Sequence, residues 1–292
     1  MRKLANLLAR RPIVLVLGMH RSGTSALART LALAGGALPR TLFEPVAGDN
    51  DLGYWESRPL IEYHEALFAR IGTSMLAGDP IDPTWFVSRD AARAEADLLA
   101  IVRAEWRDGV FTSRAPWIVK EPRIARLMPL WRRVLARTGR RVAVVHMLRE
   151  PQEVAASLLR RPELAAAGFT AAAAERSWLE HVLLAERHTR DLPRAFASID
   201  LLMGDWRTVV ARVAALLPAR SIEVERGAPE IEAFLRPGLR HHRADTTAVT
   251  SSADVARVRD ALLDAVRWGG QPDTEVLDAA CDALYAGRDV AR

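Results

Sequence analysis

Apolar and polar positions along this chain alternate between two kinds of pattern. Short, largely apolar runs at 13–17, 117–119 and 141–147 read as buried strands, and a fourth strand is expected at 197–202. Between them, apolar residues recur every three or four positions. That spacing predicts helices at about 25–34, 59–71, 91–106, 125–138, 151–160, 171–190 and 206–217. Strand and helix in alternation predict an α/β fold, a parallel β-sheet flanked by helices. Residues 1–11 read as a short basic helical arm. Beyond Pro218 the pattern weakens, with helices expected near 253–266 and 274–286. The chain is therefore read as a single domain over 1–292, with its core at about 13–217 and a mostly helical C-terminal extension at about 218–292. Two stretches rich in turn formers, 39–55 and 78–85, are long enough to form a lid.

Composition narrows the class. Half the residues are hydrophobic and 26% are charged, the balance of a soluble globular protein rather than a disordered one. The longest apolar run falls well short of the roughly 20 residues that cross a bilayer, so stable membrane insertion is not expected. The single cysteine, Cys281, forms no internal disulfide; Leu277, Ala280 and Leu284 around it mark a helix face and a core thiol. A reducing, cytoplasmic setting is expected. Net charge is +5 and comes almost wholly from arginine, since Lys3 and Lys120 are the only lysines. No basic run is interleaved with aromatics, so nucleic acid is not an expected partner. No His/Cys set has zinc spacing and no carboxylate cluster has magnesium spacing, so no metal is expected.

The chemistry starts after the first strand. Gly18-Met19-His20-Arg21-Ser22-Gly23-Thr24-Ser25 lies between a strand and a helix. Two glycines permit a tight path in which successive N–H groups converge at the helix N-terminus, an anion site. Ser22, Thr24 and Ser25 add hydroxyl donors, and Arg21 adds a cation. The spacing is that of the nucleotide triphosphate loop, with Thr24 where that loop carries lysine. That lysine serves β- and γ-phosphates, so its replacement suits a ligand lacking them. A second anion site is expected where the strand at 141–147 ends in Arg149-Glu150-Pro151. Pro151 opens a helix, Glu153 reinforces its start, and Ser157 lies further along it. Arg149 and Ser157 together can pinch one phosphate.

With these residues in place, the chain resembles the sulfotransferases that use 3′-phosphoadenosine 5′-phosphosulfate, in their bacterial carbohydrate and protein-tyrosine-like branch. Gly18–Ser25 is similar to that family's 5′-phosphosulfate loop, and Arg149, Pro151 and Ser157 are similar to its 3′-phosphate motif. Trp117-Ile118-Val119-Lys120-Glu121-Pro122-Arg123 resembles its intervening Lys-Asp-Pro segment, with Glu121 in place of the aspartate. The likeness covers about 13–217. It implies a P-loop NTPase-like sulfotransferase fold, the phosphosulfate as co-substrate, and an acceptor hydroxyl on a glycan, glycolipid or secondary metabolite. Lys120 would then stabilise the leaving phosphate, Arg21 would contact sulfonyl and 5′-phosphate oxygens, and His20, Ser22, Gly23, Thr24 and Ser25 would line the donor site. Arg240, in Arg240-His241-His242-Arg243, resembles the basic C-terminal segment that closes over the nucleotide.

Transfer needs a base for the acceptor proton. Glu56, in Gly53-Tyr54-Trp55-Glu56, is the first choice, on the segment where related enzymes carry their base glutamate; the alternative is a plain carboxylate near a helix start. His20 and His64 are alternative bases, His20 also reading as an organiser of the loop and His64 as a satisfied interior or surface residue. His146, within a strand, reads as structural. Two rival functions stay open on sequence alone: a P-loop small-molecule kinase and a non-catalytic nucleotide-binding protein.

Overall fold

The structure is a computed structural model in which residues 11–46, 50–107, 115–235 and 252–286 are described. The expected basic arm, apart from its last residue, and Arg240 with its neighbours lie outside the described residues. Four strands form one parallel sheet: β1 (Ile13–Leu17), β2 (Trp117–Lys120), β3 (Val142–Leu148) and β4 (Arg194–Ser198), in the order β2-β1-β3-β4. Register follows from the pairs Leu15↔Val119, Leu15↔Val144 and His146↔Phe196. Helices precede and follow the strands: α1 (Thr24–Leu33), α2 (Arg58–Arg70), α3 (Arg89–Glu105), α4 (Met128–Thr138), α5 (Pro151–Leu159) and α6 (Pro162–Ala166). The remainder are α7 (Ala171–Arg187), α8 (Ile199–Gly204), α9 (Trp206–Ala215), α10 (Ala228–Phe234), α11 (Ala253–Trp268) and α12 (Thr274–Ala286).

The two-residue period of β1 explains the layering. Ile13, Leu15 and Leu17 face one side, against Leu60 and Phe68 of α2, Leu98 of α3 and Trp131 of α4. Val14 and Val16 face the other, against Leu27 and Leu31 of α1, Leu202 of α8 and Val210 of α9. A third apolar cluster joins Met19 and Leu148 to α5 and α7, and Val258, Leu262, Leu277 and Leu284 of the C-terminal helices pack into it. Cys281 is buried there as well. A strand buried on both faces carries continuous apolar sequence, which is why 13–17 reads so clearly.

Three boundaries differ from expectation for local reasons. The fourth strand is Arg194–Ser198 rather than 197–202, because the Ser198 hydroxyl accepts from Leu201 N at 3.1 Å and starts α8, with Asp200 in its first turn. The expected helix at 125–138 begins only at Met128, as α4, after a 3₁₀ turn at Pro122–Ala125. Pro129 near the start of α4 has no N–H and cannot sit inside a helix running from 125. The lid-like stretch 78–85 runs into a 3₁₀ turn at Pro83–Val87. None of the helices among the described residues is long and apolar enough to cross a membrane.

Since β2 is added on one side of β1 and β3 on the other, the order in which strands are laid down reverses between β1 and β3, while all four strands stay parallel. Loops leaving the carboxyl ends of these two strands diverge and open a crevice, the usual place for a ligand in such sheets. Both anion motifs of the sequence are at those two ends.

Candidate active site

The loop after β1 is held by contacts that only glycine permits. Gly18 has φ 153°, and a Cβ there would lie 2.4 Å from the Met147 carbonyl oxygen on β3. Gly23 has φ 87° and caps α1 with no side-chain partner for its first N–H groups. Arg21 also takes a positive φ, 69°, and Ser22 N donates to Met19 O at 3.2 Å. No acidic residue sits in the first turn of α1, so the positive end of its dipole is uncompensated. Ser22 Oγ and His20 Nε2 are buried with no hydrogen-bond partner among the described residues. Buried polar atoms are normally satisfied; these two fit a loop built to receive an oxygen-rich ligand. His20 packs edge-on to His181, with ring centroids 6.1 Å apart. Burial, reinforced by the charges of Arg123 and Lys120, holds the His20 imidazole well below its ordinary range.

The second motif meets the first directly. Arg21 Nε donates to Ser157 Oγ at 2.9 Å, and Arg149 donates to the Arg21 carbonyl oxygen at 3.0 Å. Arg149 Nε also donates to Glu153 Oε2 at 2.7 Å, which orients the guanidinium from one turn along α5. The Arg21 guanidinium, expected to contact a 5′-phosphosulfate, is bonded to Ser157, so Arg21 joins the two motifs.

Lys120 ends β2 with its ammonium buried. It donates to Ser25 Oγ at 3.1 Å, to the Tyr54 carbonyl at 3.2 Å, and to Glu56 Oε1 in an ion pair. An ammonium has three N–H groups, and these three acceptors match them. Asn50 Nδ2 also reaches Ser25 Oγ, at 3.4 Å. Burial pushes the Glu56 carboxyl above its ordinary range against the pull of the Lys120 charge, and the Glu121 charge adds to the upward push. The geometry thus joins the expected base to the expected stabiliser of the leaving group.

Several elements place Glu56. Trp55 before it takes φ 58°, with the Arg29 guanidinium 4.5 Å above its ring centroid. Ser57 after it caps α2. Glu105, buried at the end of α3, accepts from Ser57 Oγ at 3.1 Å, from Thr41 N at 3.0 Å and from Thr41 Oγ1 at 3.1 Å. Phe43 N donates to the Glu56 carbonyl at 2.9 Å, so the segment before residue 47 is strapped along Glu56.

Glu121 is completely buried and takes part in a network of its own. Its Oε2 meets His64 Nδ1, while Oε1 accepts from Arg123 N at 3.1 Å and from the Arg123 guanidinium at 2.6 Å. Arg123 Nε donates to Glu65 Oε1 at 2.6 Å. Burial alone would raise the Glu121 carboxyl; the Arg123 charge and the His64 contact outweigh it and hold the group at about 2. His64 proves to be a satisfied interior residue, and His146 is likewise buried, bonded to Thr189 at 3.0 Å.

No protein-family model matches this chain, and no curated protein matches it in sequence. Among solved structures, it is similar to the sulfotransferase domain from the Synechococcus PCC 7002 olefin synthase, at 18% identity and a TM-score of 0.47, over 86% of this chain and 94% of that one. It is also similar to the sulfotransferase domain from the curacin biosynthetic pathway, at 17% identity and a TM-score of 0.40, over 85% and 82% of the two chains. Likeness at this level says nothing about the chemistry, which has to be read from the site.

The site residues fall into two linked groups. Arg21, Arg149 and Ser157 form one; Ser25, Glu56 and Lys120 form the other, and the loop His20–Ser25 runs between them. Sequence reasoning missed Glu105, the His64–Glu121 contact and the enclosed position of Arg123. Glu105 ends an ordinary amphipathic helix, and no local pattern announces a carboxylate that bonds residues 48 and 64 positions away.

Proposed function

We propose that this chain is a sulfotransferase, moving a sulfonyl group from 3′-phosphoadenosine 5′-phosphosulfate to an acceptor hydroxyl on a glycan, glycolipid or secondary metabolite. The observation that carries this reading is the direct link between two anion-binding motifs at the β1/β3 crevice, through Arg21, Ser157 and Arg149. One adenosine ligand with negative groups at both ends would use both. Arg149, Ser157 and the Arg21 guanidinium would take the 3′-phosphate. The N–H groups and hydroxyls of Ser22, Gly23, Thr24 and Ser25 would take the 5′-phosphosulfate.

In the transfer, the bond from sulfur to the bridging oxygen breaks and a bond from sulfur to the acceptor oxygen forms. Negative charge grows on the departing 5′-phosphate, and Lys120 would meet it by leaving one of its three present acceptors. The acceptor proton would go to Glu56, whose raised affinity for protons suits a base working near neutrality. Separation of Glu56 from Lys120 is therefore part of the proposed cycle. The Lys120 ammonium serves the leaving group, and the released carboxylate serves the acceptor. A cytoplasmic setting goes with this reading, in keeping with the lone Cys281.

Isothermal titration tests the proposal directly. Adenosine 3′,5′-bisphosphate should bind without metal, and ATP with Mg²⁺ should bind far more weakly. Tight binding of ATP with Mg²⁺ alone would overturn the reading in favour of a small-molecule kinase.

A further inference from the structure

Two side-chain contacts fasten the same two segments. Glu56 stands just before the cap of α2, and His64 lies within that helix. Lys120 ends β2, and Glu121 follows it. Glu56 pairs with Lys120, and His64 pairs with Glu121, so the contacts form two rungs between one helix and one strand end.

The second rung is chemically fixed. Trp131 Nε1 lies 3.0 Å from His64 Nε2, and an indole N–H can only donate. Nε2 must therefore present its lone pair, which leaves the imidazole proton on Nδ1, facing Glu121 Oε2. His64 and Glu121 are both wholly buried, so no water competes for this bond. The other Glu121 oxygen holds Arg123, and Arg123 returns to Glu65, the neighbour of His64 on α2. A longer acidic side chain makes this span possible. An aspartate at 121, as in the motif that Lys120-Glu121-Pro122 resembles, is one methylene shorter on the path to His64.

We propose that His64 is a positioning residue whose Nδ1–H bond to Glu121 holds Glu56 in place opposite Lys120 while Lys120 turns to the donor. The first rung must open for Lys120 to serve the leaving group. With the second rung closed, α2 stays docked and the freed Glu56 carboxylate remains over the acceptor rather than swinging away. The catalytic half of this claim rests on the sulfotransferase reading above; the structural half does not.

The test uses the scarcity of lysine. With Lys3 and Lys120 the only two in the chain, ¹⁵N-lysine labelling gives two ammonium signals, and Lys3→Arg assigns them. His64→Asn keeps an amide donor where Nδ1–H stood. His64→Gln instead reaches the Nε2 position, satisfies Trp131 and leaves Glu121 Oε2 without its partner from α2, while Oε1 keeps Arg123. The Lys120 signal should stay near its wild-type position in the Asn variant and move toward that of a free, solvated lysine in the Gln variant. Turnover, read as release of adenosine 3′,5′-bisphosphate, should fall in kcat by roughly 10- to 100-fold for the Gln variant, with donor KM within about twofold. The Asn variant should recover most of that loss. If His64→Gln does not fold, Glu121→Asp breaks the same bond from the other side and should give the same shift and kcat loss. An unmoved Lys120 signal with unchanged kcat in the Gln variant, or identical losses in Asn and Gln, would overturn the proposal. A wild-type protein that releases no bisphosphate sinks the sulfotransferase reading instead, and the Lys120 signal still decides the positioning claim.

Discussion

The Arg21 guanidinium hydrogen-bonds the Ser157 hydroxyl at 2.9 Å although 136 residues separate them. This contact, with Arg149 on the Arg21 carbonyl, ties two sequence motifs together where β1 and β3 end. Arg149 has a double task in that arrangement. Its charge is the one proposed to hold a phosphate, and its N–H steadies a loop residue with positive φ.

Arg149→Ala should therefore weaken adenosine 3′,5′-bisphosphate binding by roughly 10- to 100-fold, the loss of about 1.5–3 kcal/mol that charge-assisted hydrogen bonds supply. Ser157→Ala removes a neutral partner of Arg21 and should cost only about 3- to 10-fold. Calorimetric titration of both variants gives the comparison. Equal losses would mean that Arg149 acts only as a loop support.

Lys120 and Glu56 should separate binding from chemistry. Lys120→Met removes the cation proposed to meet the leaving phosphate, and single-turnover sulfonyl transfer should slow by roughly 10²- to 10³-fold. Glu56→Gln leaves Lys120 an acceptor but removes the proposed base, with a loss of about 10²- to 10⁴-fold. Bisphosphate affinity should stay within about threefold of wild type in both. A Lys120 variant that loses affinity as steeply as rate would move that residue from the reacting bond to ground-state binding.

Legibility of the sequence followed the range of the forces involved. Strands β1 and β3 were plain because burial on both faces demands unbroken apolar runs. The loop after β1 was plain because Gly18 and Gly23 meet backbone constraints that few residues tolerate. The start of α8 was missed because a single Ser198 cap overrides the apolar run that continues through Leu202. The bond from Arg21 to Ser157 was not legible because it depends on the register of β1 beside β3, which no local pattern contains. Glu121 read as an imperfect aspartate until His64, 57 residues earlier in the chain, supplied the reason for the longer side chain.

Gly18→Ala should destabilise the fold by about 2–4 kcal/mol, through a positive φ and a Cβ driven against the backbone of β3. Gly72→Ala is the matched control. It too has positive φ, 71°, but nothing lies within 4 Å of the added carbon, so only the conformational term, about 1–2 kcal/mol, remains. Urea unfolding of the two variants isolates the packing contribution. Equal losses would show that the approach of Gly18 to Met147 contributes nothing.

The buried histidines outside the site set the acid response of the fold. His146 stacks on Phe196 at 4.7 Å, and Thr189 Oγ1 already donates to the Ala185 carbonyl, so His146 Nε2 must donate to that hydroxyl. His181 Nδ1 donates to the Ser177 carbonyl at 2.7 Å. Burial, helped by the charge of Arg194 near the first and Arg126 near the second, depresses both from 6.5 to about 3. The sign follows from linkage. Between those values the unfolded chain binds two protons that the folded chain refuses, so stability drops as pH falls from 6.5 toward 3, by about 1.4 kcal/mol per pH unit for each histidine. His20, also held well below its ordinary value, and His188 add to the same trend; the Glu121 carboxyl joins only below its ordinary 4.5, and the raised Glu56 and Glu150 oppose it. Unfolding free energies between pH 4.5 and 6.5 should therefore slope upward with pH, and His146→Asn with His181→Asn together should flatten that slope whatever they do to absolute stability. A double variant with the wild-type slope would show that these two rings are not what makes the fold acid-sensitive.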